Sequence, residues 1–250
     1  MNERTTGIVM KQIEYRENDA LLTVLTKEYG KLSLVVKGIK KMTSKNAVSC
    51  MPYCISEFVL DYQDDKSMFT IKNGSLIESN RKIQEDLVKM GVAQVLTELI
   101  DKSIPQGYLD EETNENFYEL LALSLKRLND ENENGLLLSL FIAQVLSYLG
   151  IPPIVDECVL CGNTKVNYIS VEEGGFICSE CKNEVGSSSG KQMDLKRFRL
   201  ANKAQLEHYD VLKQYGPWTI EDCETLIEFL KVHSGIELET WQFLKKIVEG

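Results

Sequence analysis

The first eighty residues alternate short apolar runs with polar turn residues. The runs have lengths typical of strands, and turns such as Tyr29-Gly30-Lys31 and Asp64-Asp65 separate them. Five short strands predict a small β-barrel, and the OB-fold is a barrel with that number of strands. The predicted strands cover residues 8–10, 21–25, 32–36, 54–62 and 68–72.

After residue 80 the apolar positions recur every three to four residues, which is the period of an amphipathic helix. The first helical stretch breaks at Pro105-Gln106-Gly107, and the third ends at Gly150 before Pro152-Pro153. The pattern predicts an α+β multidomain chain, with an OB-fold domain over residues 1–80 and an α-helical domain over residues 81–250. The predicted helices lie near residues 83–100, 117–128, 137–149, 194–215, 219–233 and 239–248.

Two Cys-x-x-Cys pairs interrupt the helical pattern, with sixteen residues between them. Each pair can bring two thiolates to one side of a tight turn, and two pairs complete the tetrahedron of a four-thiolate zinc site. Gly162 and Gly174-Gly175 can supply the turns. We therefore predict one structural zinc in a module at about residues 155–185, followed by a flexible Gly/Ser link at residues 186–190, with iron as the alternative metal. The predicted ligands are Cys158, Cys161, Cys178 and Cys181.

Two other uses of these cysteines stay open from the spacing alone. Two disulfides would need an oxidising compartment, and the N-terminal residues contain no apolar signal segment. A thioredoxin-like dithiol needs one Cys-x-x-Cys at a strand-to-helix junction rather than two matched pairs. Cys50, Cys54 and Cys223 lack partner ligands nearby in the sequence, and we expect them to be buried as small hydrophobic residues.

The net charge of −10 argues against nucleic acid as a partner, but the charge is distributed unevenly. Residues 1–80 carry 11 Lys/Arg against 10 Asp/Glu, a net of +1, whereas the other 170 residues carry 17 against 28, a net of −11. Residues 29–56 contain five lysines and no acid, which suits contacts with phosphates, although a solvated loop would have the same composition. The candidate DNA-binding residues are Lys31, Lys37, Lys40, Lys41 and Lys45, with Tyr15, Tyr29 and Tyr53 as candidate stacking platforms.

Membrane insertion and catalysis find little support in the sequence. Residues 136–155 lack charges over a length that could cross a bilayer, but Gly150 and Pro152-Pro153 end the helix early, so we predict a buried core helix. The chain contains two histidines and no phosphate-binding glycine motif, and we predict that it is not an enzyme. The absence of a signal segment predicts a cytoplasmic protein.

Several segments along the chain form a recognisable series: residues 7–11, 15–19 and 25–33 at the start, the basic stretch 36–41, Glu57-Phe58 in the fourth strand, and Leu149-Gly150 with the first cysteine pair and Gly162. Taken in order, they resemble the RecO family of bacterial DNA-repair and recombination-mediator proteins. The resemblance covers nearly the whole chain, and is therefore more specific than any single motif.

The resemblance implies an N-terminal OB-fold and a helical domain that contains a zinc module. It implies binding to single- and double-stranded DNA, annealing of complementary strands, and help in loading RecA onto DNA coated by single-stranded-DNA-binding protein. RecR is an implied partner, and the bacterial nucleoid is the implied location. Some family members lack part of the cysteine set, whereas this chain has all four.

A further implied partner is the acidic, apolar-ended C-terminal tail of single-stranded-DNA-binding protein, which needs an apolar pocket beside cations. Candidate cations for this tail are Lys102, Lys126 and Arg127, with Lys89 nearby, and Leu96, Leu99, Leu125 and Leu128 could line the pocket unless they belong to the core. Two other functional classes stay open: a zinc-ribbon interaction module in transcription or RNA handling, and a thiol oxidoreductase.

Overall fold

A computed structural model describes residues 2–61, 68–107, 110–185 and 193–249. The turn expected at Asp64-Asp65 and the link expected at residues 186–190 lie outside the described residues. The chain forms two compact units, Met1–Asp130 and Glu131–Gly250, which we call unit 1 and unit 2.

Unit 1 begins with strands that close into a five-stranded barrel within the described residues. Their order around the barrel is β1-β2-β3-β5-β4, and neighbouring strands are antiparallel except for the parallel pair β3 and β5. This barrel confirms the OB-like architecture that the sequence predicts. The strands are β1 (Asn2–Tyr15), β2 (Asp19–Thr26), β3 (Gly30–Val36), β4 (Ile55–Asp61) and β5 (Met68–Glu78).

One face of each strand fills the barrel interior, because successive side chains of a strand point to opposite faces. Leu22 of β2 and Leu34 of β3 are fully buried in this core and lie opposite each other. β1 begins earlier than the predicted residue 8, since residues 2–7 are mostly polar and yet pair with β4. An apolar-run criterion misses such a segment, because pairing there depends on the backbone.

In the described part of unit 1, three helices follow the barrel: α1 (Arg81–Gln84), α2 (Leu87–Ser103) and α3 (Glu111–Asp130). The Asn114 side chain of α3 donates hydrogen bonds to the backbone carbonyls of Thr26 and Lys27, at 3.2 and 2.7 Å. These bonds fix α3 to the β2–β3 turn. The contacts therefore group the first three helices with the barrel, while the division into domains at residue 80 stays a prediction from the sequence pattern.

Unit 2 is built around α4 (Asn134–Tyr148), which packs against α6 and α8. Apolar residues lie on nearly every side of α4, and all of them are buried between its neighbours, as predicted for a core helix. Among the described residues, no helix combines the length and hydropathy needed to span a membrane. The other elements are β6 (Tyr168–Ser170), β7 (Gly175–Ile177), α5 (Ser179–Val185), α6 (Leu195–Lys203), α7 (Tyr209–Leu212), α8 (Cys223–Ser234) and α9 (Glu239–Glu249).

Candidate functional site

The two Cys-x-x-Cys pairs of unit 2 converge on one point. The Sγ atoms of all four cysteines lie within 4.8 Å of one another, and those of Cys161 and Cys178 are 3.7 Å apart. A tetrahedral site with metal–sulfur bonds of about 2.3 Å needs sulfur–sulfur distances of about 3.8 Å. The cluster formed by Cys158, Cys161, Cys178 and Cys181 could therefore hold a metal ion, and of the four only Cys161 is exposed to solvent.

Backbone hydrogen bonds shape both cysteine pairs. The N–H of Gly162 donates to the carbonyl of Cys158 at 2.8 Å, and the positive φ of 73° at this glycine allows the tight turn. The N–H of Cys158 donates to Asn163, also at 2.8 Å. The second pair lies at the start of α5, where the N–H of Lys182 donates to Cys178 at 3.0 Å.

The protonation of the cluster is uneven. Burial raises the pKa of the Cys158 thiol, but hydrogen bonds from the N–H groups of Cys178, Cys161 and Leu160 outweigh that effect and lower its pKa to about 6. The pKa of Cys181 is raised well above its ordinary value, first because its thiol is hydrogen-bonded to the side chain of Cys161. A cation bound between the four sulfurs would favour the thiolate form of each ligand and displace the remaining protons.

The cysteine cluster is fixed to the helices of unit 2 by polar contacts. Asp156, just before the first pair, makes ion pairs with Arg199 and Lys203 of α6, at 2.7 and 2.5 Å. On the other side, the imidazole Nε2 of His233 in α8 lies 2.6 Å from the carbonyl oxygen of Val171, which follows β6. The module thus bridges two helices, so loss of its shape would also disturb their packing.

The remaining cysteines are buried, as predicted. Burial raises the pKa of Cys50 and Cys54 to about 11 each, and raises that of Cys223 to about 12. Such thiols stay protonated at neutral pH and are poor nucleophiles.

The lysine segment, residues 37–45, lies after β3 in unit 1 and exposes four of the five candidate lysines: Lys37, Lys40, Lys41 and Lys45. It is held by the turn between β1 and β2. Lys40 Nζ forms an ion pair with Glu14 at 2.7 Å, and its N–H donates to the carbonyl of Asn18 at 3.2 Å. The N–H of Gly38 donates to the Asp19 carboxylate at 2.8 Å. Sequence reasoning missed the contacts between this turn and the lysine segment, because the two lie about twenty positions apart in the chain.

Lys31 differs from the other four lysines because its ammonium is buried. Its Nζ donates to the Asp101 carboxylate at 2.9 Å and to the Ile104 carbonyl at 2.7 Å, and its side chain is only 9% exposed. Its backbone also pairs with Gly107. Lys31 therefore joins the barrel to the end of α2, and the structure does not bring it to the surface with the lysine segment.

We expect Lys31→Ala to destabilise unit 1 by about 1–3 kcal/mol, because it leaves buried carbonyl groups without a donor. Faster hydrogen exchange in β3 and α2 would report this loss. Lys37→Ala, a matched exposed lysine, should leave exchange unchanged. Equal exchange in the two variants would contradict a structural role for Lys31.

The three candidate stacking tyrosines have different surroundings. Tyr53 is buried, and burial raises its pKa to about 12. Tyr29 packs against the barrel core. Tyr15 is half-buried at the end of β1, and the guanidinium carbon of Arg16 lies 5.0 Å from its ring centroid. Of these three, Tyr15 pairs with Asp19, whose carboxylate accepts the hydrogen bond from Gly38 in the lysine segment.

The four leucines that could line a tail-binding pocket belong to the core, which is the alternative that the sequence pattern left open. Leu96, Leu99 and Leu125 are completely buried and Leu128 is 1% exposed, and all four lie on α2 or α3.

The candidate cations for the tail are not clustered. Lys89 is buried, and its Nζ donates to the carbonyl of Asn129 at 3.2 Å, so the start of α2 meets the end of α3. The two helices are therefore antiparallel. Lys102, paired with Glu98 near the other end of α2, lies about 15 Å along the axis from Lys126 and Arg127.

The fold and the site define a class: an OB-like barrel protein with an exposed lysine segment and a four-cysteine module in a helical unit. Comparison with family models gives two matches, "Recombination protein O N terminal" over residues 1–80 and "Recombination protein O C terminal" over residues 84–241. The chain belongs to the RecO family of DNA repair proteins, which confirms the resemblance seen in the sequence.

Relatives from several bacteria match over almost the whole chain. A DNA repair protein RecO from Bacillus pumilus is 28% identical over 250 residues, covering 98% of this chain and 94% of the relative. One from Thermoanaerobacter is 28% identical over 247 residues, covering 98% and 97%. One from Syntrophomonas wolfei is 30% identical over 220 residues, covering 82% and 86%.

Proposed function

We propose that the chain is a DNA-repair mediator that works by binding rather than by catalysis. It binds single- and double-stranded DNA, anneals complementary strands, and assists the loading of RecA onto DNA coated by single-stranded-DNA-binding protein. The observation that carries this proposal is the exposed lysine segment, fixed on the barrel of a RecO family member. Such work takes place at the bacterial nucleoid, so we propose a cytoplasmic location.

The lysine segment would supply positive charge without reading base sequence. A lysine ammonium is a compact point charge that contacts phosphates, and phosphate contacts position a strand without specifying it. Neutralising phosphates on two strands lowers their mutual repulsion, and base pairing then selects the complement. Residues 81–250 carry a net charge of −11, so the proposed phosphate contacts are confined to the barrel.

We propose zinc as the metal of the cysteine cluster. Four sulfur donors, three of them buried, fit that ion. Zinc bound there would join the two cysteine pairs and stabilise the module. Four protein ligands leave no open coordination position, so the role is structural. Iron held by four thiolates is the alternative, and elemental analysis distinguishes the two metals.

RecR and the tail of single-stranded-DNA-binding protein are the proposed protein partners. Lys102, and Lys126 with Arg127, are the proposed contacts for the acidic tail. An extended peptide of about five residues spans the roughly 15 Å between them. The apolar end of the tail would need a surface other than the four core leucines.

A strand-annealing assay with and without single-stranded-DNA-binding protein tests the proposed function. We expect the full chain to accelerate annealing of complementary oligonucleotides in both arms, with no chemical change to the DNA. No acceleration in either arm would contradict annealing. Acceleration with bare DNA alone would remove the proposed tail contact. Preference for RNA of the same sequence would favour the RNA-handling alternative.

Glu14→Gln should increase DNA affinity about two- to fivefold at low salt, the range expected for one exposed ion pair. The ammonium of Lys40 holds the pKa of Glu14 below its usual value, so this carboxylate stays charged and competes with phosphate for Lys40. Glu17→Gln makes the same charge change nearby, at an exposed residue of the β1–β2 turn, and is the matched control. Fluorescence anisotropy titrations compare them, and equal gains in the two variants would contradict competition at Lys40.

A further inference from the structure

The four residues of the cysteine cluster differ in their access to solvent. Cys161 is exposed, whereas the other three cysteines are buried. Leu160, the residue before Cys161, is 44% exposed, so this side of the first pair faces solvent. A small oxidant that diffuses to the cluster therefore meets Cys161 first. Reactive cysteines in proteins share this partial exposure, while fully buried thiols are inert.

The backbone holds Cys161 in register with Cys178 of the other pair. The N–H of Val159 donates to the carbonyl of Phe176 at 2.8 Å, and each cysteine lies two positions after one residue of that bond. The two Sγ atoms lie 3.7 Å apart. Because a disulfide brings two sulfurs to about 2.05 Å, the pair has only a short distance to close.

The chemistry of such a bond starts from a thiolate. A sulfur that coordinates a cation is deprotonated, and the thiolate is the form that attacks an oxidant. Attack on hydrogen peroxide forms the S–O bond of a sulfenic acid and breaks the O–O bond, and the leaving hydroxide takes up a proton as water. A second thiolate then attacks the sulfenic sulfur, which forms the disulfide and releases another hydroxide that is protonated to water. The sulfurs are oxidised and the peroxide is reduced.

We propose that Cys161 is a site of reversible oxidation by hydrogen peroxide, and that its oxidation closes a disulfide to Cys178. This inference rests on the proposed function, since it concerns the cluster to which we assign zinc. The disulfide consumes two of the four sulfur ligands, so the oxidised cluster no longer holds the ion. A dithiol reductant restores both thiols by exchange, and is itself oxidised to a disulfide.

The disulfide takes over the link that the metal makes between the two cysteine pairs, because it joins one sulfur from each pair. The described contacts of the module with α6 and α8 use other atoms. The rings of Phe176 and Phe198 have centroids 5.8 Å apart, and His233 contacts the carbonyl of Val171. The oxidised module therefore loses its metal and keeps its place on both helices.

Peroxide treatment of the full-length, metal-loaded protein tests the inference. A chromogenic chelator measures the released metal, and mass spectrometry of a digest made without reductant maps the disulfide. We expect complete release, a chain mass about two daltons below that of the reduced chain for the hydrogens lost, and a cross-link between the peptides of Cys161 and Cys178. A dithiol reductant with added zinc should reverse all three changes.

A matched pair of histidine variants separates Cys161 from the other ligands. Cys161→His and Cys181→His each leave three sulfurs and one imidazole, a donor set that zinc also accepts. Cys161→His lacks the thiol that meets peroxide, so it should keep its metal under treatment that empties the wild type. Cys181→His retains both members of the proposed disulfide and should release its metal at the wild-type rate. If neither variant binds metal, the peptide map of the wild type decides the question.

Hydrogen exchange tests whether the disulfide replaces the metal link. In the oxidised wild type, α6 and α8 should exchange as they do in the metal-loaded protein. They should exchange faster in Cys161→Ser, which has neither a full set of ligands nor the proposed disulfide. Fast exchange in the oxidised wild type would contradict a disulfide that joins the two pairs.

Three other results would overturn the inference. A cross-link between Cys158 and Cys161, or metal release without a disulfide, would remove the proposed bond. Equal release from the two histidine variants would place the first oxidation at another sulfur. Full retention of metal by the wild type would show that peroxide does not react at the cluster. By contrast, an untreated protein that lacks metal and still forms the Cys161–Cys178 bond would contradict the proposed zinc and leave the oxidation site in place.

Discussion

Cys161→Ser should reduce the bound metal from one equivalent per chain to less than about a tenth. Three thiolates and a hydroxyl form a much weaker site than four thiolates, and zinc binding to such sites contributes on the order of 10 kcal/mol to local folding. Because Asp156 and Val171 connect the module to α6 and α8, the loss should spread into both helices. Elemental analysis measures the metal, and hydrogen exchange measures the loosening.

Cys223→Ala is the matched control for this variant. Cys223 is a buried thiol that contacts Ser139 in unit 2 and lies outside the cluster, so the control should keep a full equivalent of metal. A full equivalent in Cys161→Ser as well would contradict the assignment of the ligands. The same elemental analysis identifies the ion, and an equivalent of iron would replace zinc in the proposal without changing the ligand set.

Changing Lys37, Lys40 and Lys41 together to alanine should weaken DNA binding roughly 10- to 100-fold at low salt. If each lysine contacts one phosphate of a single strand, the slope of log affinity against log salt should decrease by about 2, at about 0.7 per contact. Annealing should slow in parallel. Anisotropy titrations at several salt concentrations give both the affinity and the slope.

A charge-matched triple variant separates local contact from net charge. Lys196, Lys231 and Lys246 are exposed lysines of unit 2, and their replacement by alanine removes the same three charges. That variant should retain the wild-type salt slope. Equal slopes in the two triple variants would place the DNA site elsewhere.

The barrel and the cysteine cluster could be predicted because each depends on a local pattern. Five apolar runs separated by turns indicate a closed barrel, and two Cys-x-x-Cys pairs indicate a four-thiolate site once the fold brings them together. The order of the segments along the chain also indicates the family. For the barrel and for the cysteine cluster, the signal lies within the residues that form the feature.

The environment of each lysine could not be predicted, because it depends on residues far away in the sequence. Lys31 and Lys37 look alike in a basic stretch, yet Asp101 and Ile104 bury the first ammonium while the second stays exposed. The same limit applies to Leu96 and Leu125. Their helical periodicity indicates an apolar face, but it does not say whether that face covers a core or lines a pocket.

The hydrogen bonds between the barrel and its helices determine which part of the chain can be fused to another protein. The Lys31 ammonium and the carbonyls of Thr26 and Lys27 find their partners beyond residue 100, on α2, α3 and the segment between them. A barrel transplanted alone into another protein would leave these groups without partners, even though every strand came with it. The part that can be transferred is therefore the barrel together with its helical hairpin. A gene fusion joined after residue 130 keeps the hydrogen bonds between them, whereas one joined after residue 80 would separate the barrel from its partners.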